Sequence, residues 1–99
     1  MALVTVYITT CNRLELLKRC LNSIKEQTIR DIEIIVVDDN SNDDTALFMK
    51  SECEKDTRIK YLRNDINRGA CYSRNKAISV ASSEYITGVM MMIILKKIE

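Results

Sequence analysis

The stretch Ile34-Ile35-Val36-Val37-Asp38-Asp39-Asn40-Ser41 decides the fold. It begins with four β-branched apolar residues and continues with two carboxylates. Four such residues in a row are typical of a strand that is buried on both faces of a parallel sheet. Ligands of open α/β folds bind beyond the carboxyl ends of such strands, so Asp38 and Asp39 are candidate ligand contacts. Alternatively, Asp38, Asp39 and Ser41 end the strand and cap the next helix.

Strand-like and helix-like segments alternate on either side of this stretch. Segments rich in β-forming residues predict four strands, at residues 3–8, 32–37, 59–62 and 84–87. Helical segments are predicted between successive strands, the first over about residues 13–27 and the third over about residues 70–81. In the first segment the apolar residues at helical spacing, with Cys20 on the same side, are Leu14, Leu17, Leu21 and Ile24. The order βαβαβαβ predicts a three-layer α/β/α fold, with a mainly parallel sheet and helices on both faces.

Capping residues predict where the helices begin. Asn12 is the expected N-cap of the first helix. Ser41 or Asn42 is the expected cap of the second helix, whose first turn would then carry Asp43 and Asp44. The third helix is expected to face the core with five residues, which are Ala70, Arg74, Ala77, Ile78 and Ala81.

Composition narrows the possible functions. The chain has 99 residues, enough for one small domain or part of a larger one, and a net charge of +1. This balance gives no argument for nucleic acid or an anionic membrane as partner. Histidine is absent, so the chain has neither catalysis by histidine nor metal binding by histidine. The four cysteines lack the C-x-x-C spacing of a zinc or redox site, and we expect them to be reduced. No segment is predicted to span a membrane, and we expect a cytoplasmic protein.

The two glycines exclude the common phosphate-binding loops. Gly69 and Gly88 cannot build a G-x-G-x-x-G loop or a P-loop between them. A receiver-like signalling domain is a rival interpretation, because it also places acids at strand ends. It normally has an acidic pair after the first strand, where this chain has Thr9-Thr10-Cys11-Asn12-Arg13.

Five motifs occur in register over about residues 4–88. They are V-T-V-Y-I-T-T-C-N-R, L-N-S-I-K-E-Q-T, E-I-I-V-V-D-D-N-S-N-D-D-T, N-R-G-A-C-Y-S-R-N and S-S-E-Y-I-T-G. Together they resemble the nucleotide-binding half of a family 2 glycosyltransferase with the GT-A fold. The resemblance implies a Rossmann-like half-fold that binds a nucleotide-diphospho-sugar, commonly a UDP-sugar, for transfer to a saccharide acceptor.

The resemblance also implies which residues contact the nucleotide. The acid that matches Asp39 accepts a hydrogen bond from the uracil ring N–H, a donor that suits a carboxylate. Cys11 stands where the family usually has an aromatic residue that stacks on the base. Arg74 either contacts the base or phosphate, or pairs with Asp38 or Asp39. The complete set of candidate nucleotide-binding residues is Thr9, Thr10, Cys11, Asn12, Arg13, Asp38, Asp39, Arg68 and Arg74.

The last residues depart from the family pattern. The resemblance implies an acidic D-x-D cluster soon after S-S-E-Y-I-T-G, which binds Mn²⁺ or Mg²⁺ and neutralises the diphosphate leaving group. Residues 89–99 read V-M-M-M-I-I-L-K-K-I-E instead. We therefore expect no metal site and no catalytic residue in this chain, and no sugar transfer by it.

A frameshift near Gly88–Val89 would explain this departure. Residues 90–97 can be encoded by ATG-ATG-ATG-ATT-ATT-TTG-AAA-AAA, where the codons for Ile, Leu and Lys are assumed. If the preceding base is G and reading starts there, the same DNA reads GAT-GAT-GAT-GAT-TAT-TTT-GAA-AAA. That frame encodes Asp-Asp-Asp-Asp-Tyr-Phe-Glu-Lys. Residues 1–88 are then the nucleotide-sugar-binding part, and residues 89–99 an out-of-frame apolar and basic tail.

Two further possibilities stay open. The chain could be a non-catalytic binding or assembly module on the same fold, or the receiver-like domain described above. An exposed sheet edge or the apolar tail would also favour a homodimer.

Overall fold

The computed structural model describes residues 4–26, 31–83 and 85–89. The elements within them are β1 (Val4–Thr10), α1 (Leu14–Lys25), β2 (Ile32–Asp38), α2 (Thr45–Lys55), β3 (Ile59–Arg63), α3 (Ala70–Val80) and β4 (Tyr85–Val89). The strands pair in parallel in the order β3-β2-β1-β4. The predicted α/β fold with a mainly parallel sheet is confirmed.

The strand β2 lies inside the sheet and is buried along its whole length. Successive side chains of a strand point to opposite faces. Ile34 and Val36 accordingly pack in the larger core with α1 and α2. Ile35 and Val37 pack in a second core with Ala77 of α3. The unbroken apolar run of the sequence therefore reflects a strand with helices on both of its faces.

The helix α1 supplies much of the larger core. Its buried residues, Leu17, Cys20, Leu21 and Ile24, follow the helical spacing read from the sequence. The predicted N-cap is wrong, since Arg13 occupies the cap position, without a side-chain capping bond. Asn12 has a left-handed backbone, with φ of 53°, and its side chain bonds across to the loop after β2.

The predicted start of α2 is also wrong. The helix begins at Thr45, after Asp44 at the cap position, and its first turn has no acidic residue. Asp43 instead accepts hydrogen bonds from the backbone N–H and the hydroxyl of Thr45. The residues predicted to form the cap, Ser41 and Asn42, belong to the loop between β2 and α2 and hold that loop to its neighbour.

The inward face of α3 matches the prediction at Ala77, and Ala81 just after the helix packs against the same core, but the rest of the face differs. Ser73 and Ala77 are its buried residues, whereas Ala70 and Arg74 are exposed and Ile78 is 47% exposed. The helix carries few large apolar residues, so its sequence gave little indication of which side faces the sheet. Small side chains on the buried side let α3 lie close to β2.

Several predictions concern residues outside the described ranges. The frameshift hypothesis and a dimer formed through the tail involve residues 90–99 and stay predictions, as does a dimer through a sheet edge.

No helix in the described part of the chain is long and apolar enough to cross a membrane. All four cysteines are free thiols, and a cytoplasmic location stays a prediction.

A buried carboxylate ties together the amino ends of the strands. Glu33 of β2 is 5% exposed. It accepts hydrogen bonds from the hydroxyl of Thr5 at 2.7 Å, from Nζ of Lys60 at 2.5 Å, and from the backbone and hydroxyl of Ser82 at 3.0 Å each. Burial raises the pKa of Glu33, but these bonds outweigh it and lower the pKa to about 2.

We predict that Glu33→Gln destabilises the fold at pH 7 by about 1–3 kcal/mol, because an amide cannot replace the charge opposite Lys60. Since the folded-state pKa is depressed to about 2, the stabilisation is complete above the unfolded pKa of about 4.3. This stabilisation is lost as the pH falls from the unfolded pKa of about 4.3 through the folded-state pKa of about 2. Denaturant unfolding at several pH values should show a steeper acid loss in wild type than in the variant. Glu54→Gln, at an exposed position of α2, is the control; equal pH slopes for all three proteins would contradict the prediction.

Gly88 of β4 lies against the ring of its cross-strand partner Tyr7. A Cβ atom at Gly88 would lie 2.4 Å from Cζ and 2.5 Å from the hydroxyl oxygen of Tyr7. Gly88→Ala should therefore destabilise the fold by about 1–3 kcal/mol. The same substitution in a Tyr7→Leu background should cost less, which denaturant unfolding of the four proteins measures as a coupling energy. An equal cost in both backgrounds would show that the ring is not the cause.

Candidate functional site

Three neighbouring strands end together at one edge of the sheet. Thr10 of β1 pairs with Asp38 of β2, which pairs with Arg63 of β3. The loops that follow these strands, residues 11–13, 39–44 and 64–69, therefore lie side by side. The order of the strands also reverses at β1, with β2 and β3 on one side and β4 on the other. Open α/β folds bind ligands in the crevice at such a point.

Asp38 lies on the α1 and α2 side of the sheet and is completely buried. Its Oδ1 accepts a hydrogen bond from the N–H of Ser41 at 2.9 Å, and its Oδ2 accepts one from the hydroxyl of Tyr61. Nη1 of Arg63 lies 3.9 Å from the same Oδ2. Burial and the Asp38 carboxylate raise the pKa of Tyr61, so its hydroxyl stays a donor. Asp38, which the sequence placed among the nucleotide contacts, has the geometry of an internal support for the loop.

Asp39 extends toward the opposite layer and is partly exposed. Its Oδ1 accepts hydrogen bonds from Nδ2 of Asn64 at 2.9 Å and from the N–H of Arg68 at 2.7 Å. Its Oδ2 accepts one from the N–H of Gly69 at 3.0 Å. Burial raises the pKa of Asp39, but these three bonds outweigh it and lower the pKa below its usual range. The carboxylate is therefore ionised at neutral pH, and Oδ2 retains room for one more donor.

The first two loops are joined by short hydrogen bonds. The N–H of Asn12 donates to Oγ of Ser41 at 2.8 Å, and the N–H of Asn42 donates to Oδ1 of Asn12 at 2.6 Å. Asn12 and Asn40 both have left-handed backbones, with φ of 53° and 59°. Asparagine tolerates this conformation better than most residues. Asn12, predicted as a helix cap and a ligand contact, thus joins the two loops of the site.

The remaining predicted residues of β1 and its loop surround this junction. Cys11 is half-buried, and its thiol donates to the carbonyl of Asp39 at 3.3 Å. Burial, followed by the charge of Asp39, raises the pKa of that thiol, so it stays neutral. Thr10 buries its hydroxyl, which has no hydrogen-bond partner among the described residues. Thr9 is half-buried and Arg13 is exposed.

The backbone of Arg68 contacts Asp39, whereas its side chain turns along α3. The guanidinium lies 5.2 Å from the ring centroid of Tyr72, at cation–π distance. One of its nitrogens lies 3.7 Å from Oδ1 of Asp65. The N–H of Arg68, rather than its charge, is thus the main contact of this residue with the carboxylate.

Arg74 is exposed on α3. No ion pair joins it to Asp38 or Asp39 in the part of the chain that the structure describes. Arg63, which the sequence did not single out, lies near Asp38 instead. Its Nη2 also donates to Oδ1 of Asn40 and to the carbonyl of Ser41, which holds the loop after β2.

Asn64 is a second residue of the site that the sequence did not single out. It follows β3, is 2% exposed, and donates from its side chain to Asp39 and to Oγ of Ser73. The available signal was its position after a strand, like that of Asp39. Using that signal requires knowing that β3 lies beside β2.

The carboxylates of the site do not fit a metal ion. Within residues 4–26, 31–83 and 85–89, no three His, Cys, Asp or Glu side chains form a group that could hold one. Both oxygens of Asp38 are engaged by protein donors, and Asp39 already accepts three N–H bonds. Residues 90–99, where the expected acidic cluster is replaced, lie outside the described ranges.

Comparison with known sequences identifies relatives over nearly the whole chain. Residues 5–89 match the family described as Glycosyl transferase family 2. WcaA of Escherichia coli (strain K12), a glycosyl transferase assigned to colanic acid biosynthesis, is 42% identical over 87 residues. That match covers 88% of this chain and 31% of WcaA, so the chain spans less than a third of this relative.

Solved structures show the same fold. Staphylococcus aureus TarS 1-349 in complex with UDP-GlcNAc superposes with a TM-score of 0.82 and 27% identity, over 90% of this chain and 26% of TarS. The mannosyltransferase PcManGT from Pyrobaculum calidifontis, in complex with GDP-Man and Mn²⁺, gives 0.81 and 26% over 89% of this chain and 27% of PcManGT. These likenesses disfavour the receiver-like alternative. The fold is that of the GT-A glycosyltransferases, and the chain belongs to glycosyl transferase family 2.

Proposed function

We propose that the chain binds the nucleotide of a UDP-sugar and that Asp39 accepts a hydrogen bond from the N3–H of uracil. One observation carries the proposal: an ionised carboxylate at the ligand-binding edge of the sheet keeps a single acceptor position open, on Oδ2. An imide N–H and a carboxylate form a charge-assisted bond, stronger than a neutral one.

The same carboxylate favours uracil over guanine. Guanine presents two adjacent donors, its ring N–H and its amino group, which suit a carboxylate with both oxygens free. Oδ1 of Asp39 already accepts bonds from Asn64 and Arg68. Since a carboxylate oxygen has about two lone-pair sites, only a base with one donor matches the position that is left.

The other residues of the site take supporting roles in this proposal. Thr9 and Cys11 lie beside the base, and Arg68 and Arg74 approach the base or phosphates from the side of α3. The last residues of β1 and β2, Thr10 and Asp38, and two residues of the loop after β1, Asn12 and Arg13, shape the site.

Sugar transfer to a saccharide acceptor would be the reaction of a complete protein of this family. We propose that residues 1–88 are its nucleotide-sugar-binding part and that this chain does not transfer sugar by itself. The support is the sequence of residues 89–99, which has no acid before Glu99 where the resemblance implies a metal-binding cluster. No step of a transfer reaction is therefore assigned to this chain.

Calorimetric titration with UDP and with N3-methyl-UDP tests the assignment of Asp39. Methylation removes the donor that Asp39 is proposed to accept, so wild type should bind N3-methyl-UDP at least about tenfold more weakly than UDP. In Asp39→Asn, which lacks the charge, UDP should bind more weakly and the two nucleotides should bind about equally.

Asp44→Asn is the matched control, because Asp44 is an exposed acid of the loop after β2. It should bind both nucleotides as wild type does. Circular dichroism establishes that each variant is folded. The proposal is wrong if wild type does not bind UDP, if it binds both nucleotides equally, or if Asp39→Asn keeps the full discrimination.

A further inference from the structure

Asn64 connects the carboxylate of Asp39 to helix α3. Its side-chain Nδ2 donates to Oδ1 of Asp39 at 2.9 Å and to Oγ of Ser73 at 3.0 Å. Its Oδ1 accepts a hydrogen bond from Nζ of Lys76 at 3.1 Å. Its backbone N–H donates to the carbonyl of Asp38 at 2.8 Å. This residue therefore bonds to β2, to the loop after it and to α3.

The chemistry of its neighbours permits only one orientation of the Asn64 amide. An ionised carboxylate can only accept hydrogen bonds, so the amide nitrogen must face Asp39. An ammonium group can only donate, so the amide oxygen must face Lys76. Rotating the amide by 180° would place its oxygen against the Asp39 carboxylate, where both groups are acceptors. It would also place its nitrogen against the Lys76 ammonium, where both groups are donors.

We propose that Asn64, oriented by Lys76, is a positioning residue of the nucleotide site that fixes the Asp39 carboxylate with Oδ2 directed to the ligand. The inference rests on the proposed UDP site. Asn64 and Arg68 fill both acceptor positions of Oδ1, so rotating the carboxylate would break two hydrogen bonds. The ammonium of Lys76 polarises the amide and strengthens the bond that it donates, because neighbouring hydrogen bonds reinforce one another.

The charged groups around Asp39 are consistent with this role. Burial raises the pKa of Asp39, and the hydrogen bonds from Asn64 and from the N–H groups of Arg68 and Gly69 lower it. Arg68 contributes a smaller attraction from the loop before α3. The neutral Cys11 thiol approaches from the loop after β1, and the Asp38 carboxylate lies buried on the other side of the sheet.

Two variants and a control separate positioning from simple structural support. Asn64→Leu has a similar volume but cannot donate to Asp39. Lys76→Met keeps the apolar stem and removes the ammonium, at a half-buried position that should tolerate the change. Lys50→Met, at an exposed lysine of α2 on the opposite face of the sheet, is the control.

Two measurements are made on each protein. The pKa of the Asp39 carboxyl is followed by ¹³C NMR in the ligand-free chain, and the affinities for UDP and N3-methyl-UDP are compared. Asn64→Leu should raise the pKa of Asp39 and reduce the discrimination between the nucleotides by about tenfold. Lys76→Met should move both quantities in the same direction by a smaller factor, and Lys50→Met should move neither.

The outcomes distinguish this inference from the proposed function. If wild type discriminates and Lys76→Met and a folded Asn64→Leu leave both quantities unchanged, Asn64 has a structural role only and the inference is wrong. The inference is also wrong if Asn64→Leu lowers the thermal stability but leaves the pKa of Asp39 and the discrimination unchanged. If wild type does not discriminate, the proposed function fails and this inference fails with it, whereas the ligand-free titration still reports whether Asn64 controls the ionisation of Asp39.

Discussion

The alternation of side chains along β2 is the constraint on which the site depends. Because the strand is buried on both faces, each of its residues belongs to one helical layer or the other. The alternation continues past the last apolar residue and sends Asp38 and Asp39 to opposite sides of the sheet. Asp38 is enclosed with Tyr61, and Asp39 reaches the edge of the sheet beside the loop before α3. Two adjacent carboxylates thus acquire different roles from their position alone.

The protein contacts of Asp39 leave one of its acceptor positions free. Its carboxylate accepts the N–H groups of Arg68 and Gly69 just before α3, where the helix dipole favours a negative charge. Gly69 has a φ of 93°, a conformation that glycine adopts without strain. These contacts keep the acid ionised and occupy all but one of its acceptor positions. The proposed selectivity for a base with one donor therefore rests on the bonds already made within the protein.

The fold could be predicted where local sequence and tertiary environment agree. The run Ile34–Val37 indicated a doubly covered strand, and the apolar spacing of α1 indicated its buried side. The cap of α1 could not be predicted in this way, because Asn12 bonds to Asn42, 30 residues away. The inward face of α3 could be predicted only in part, for another reason: its buried residues, Ser73 and Ala77, are too small to produce an amphipathic pattern.

Like the fold, the site could be predicted only where local sequence carries the information. The run of motifs drew attention to Asp39, but a contact such as that of Asn64 arises only when β3 is placed beside β2. Through Asn64 the orientation of Asp39 depends on Ser73 and Lys76, residues on α3. A ligand that bonds Oδ2 favours the same carboxylate orientation that joins this loop to α3. By linkage, ligand binding and the packing of α3 must then stabilise each other.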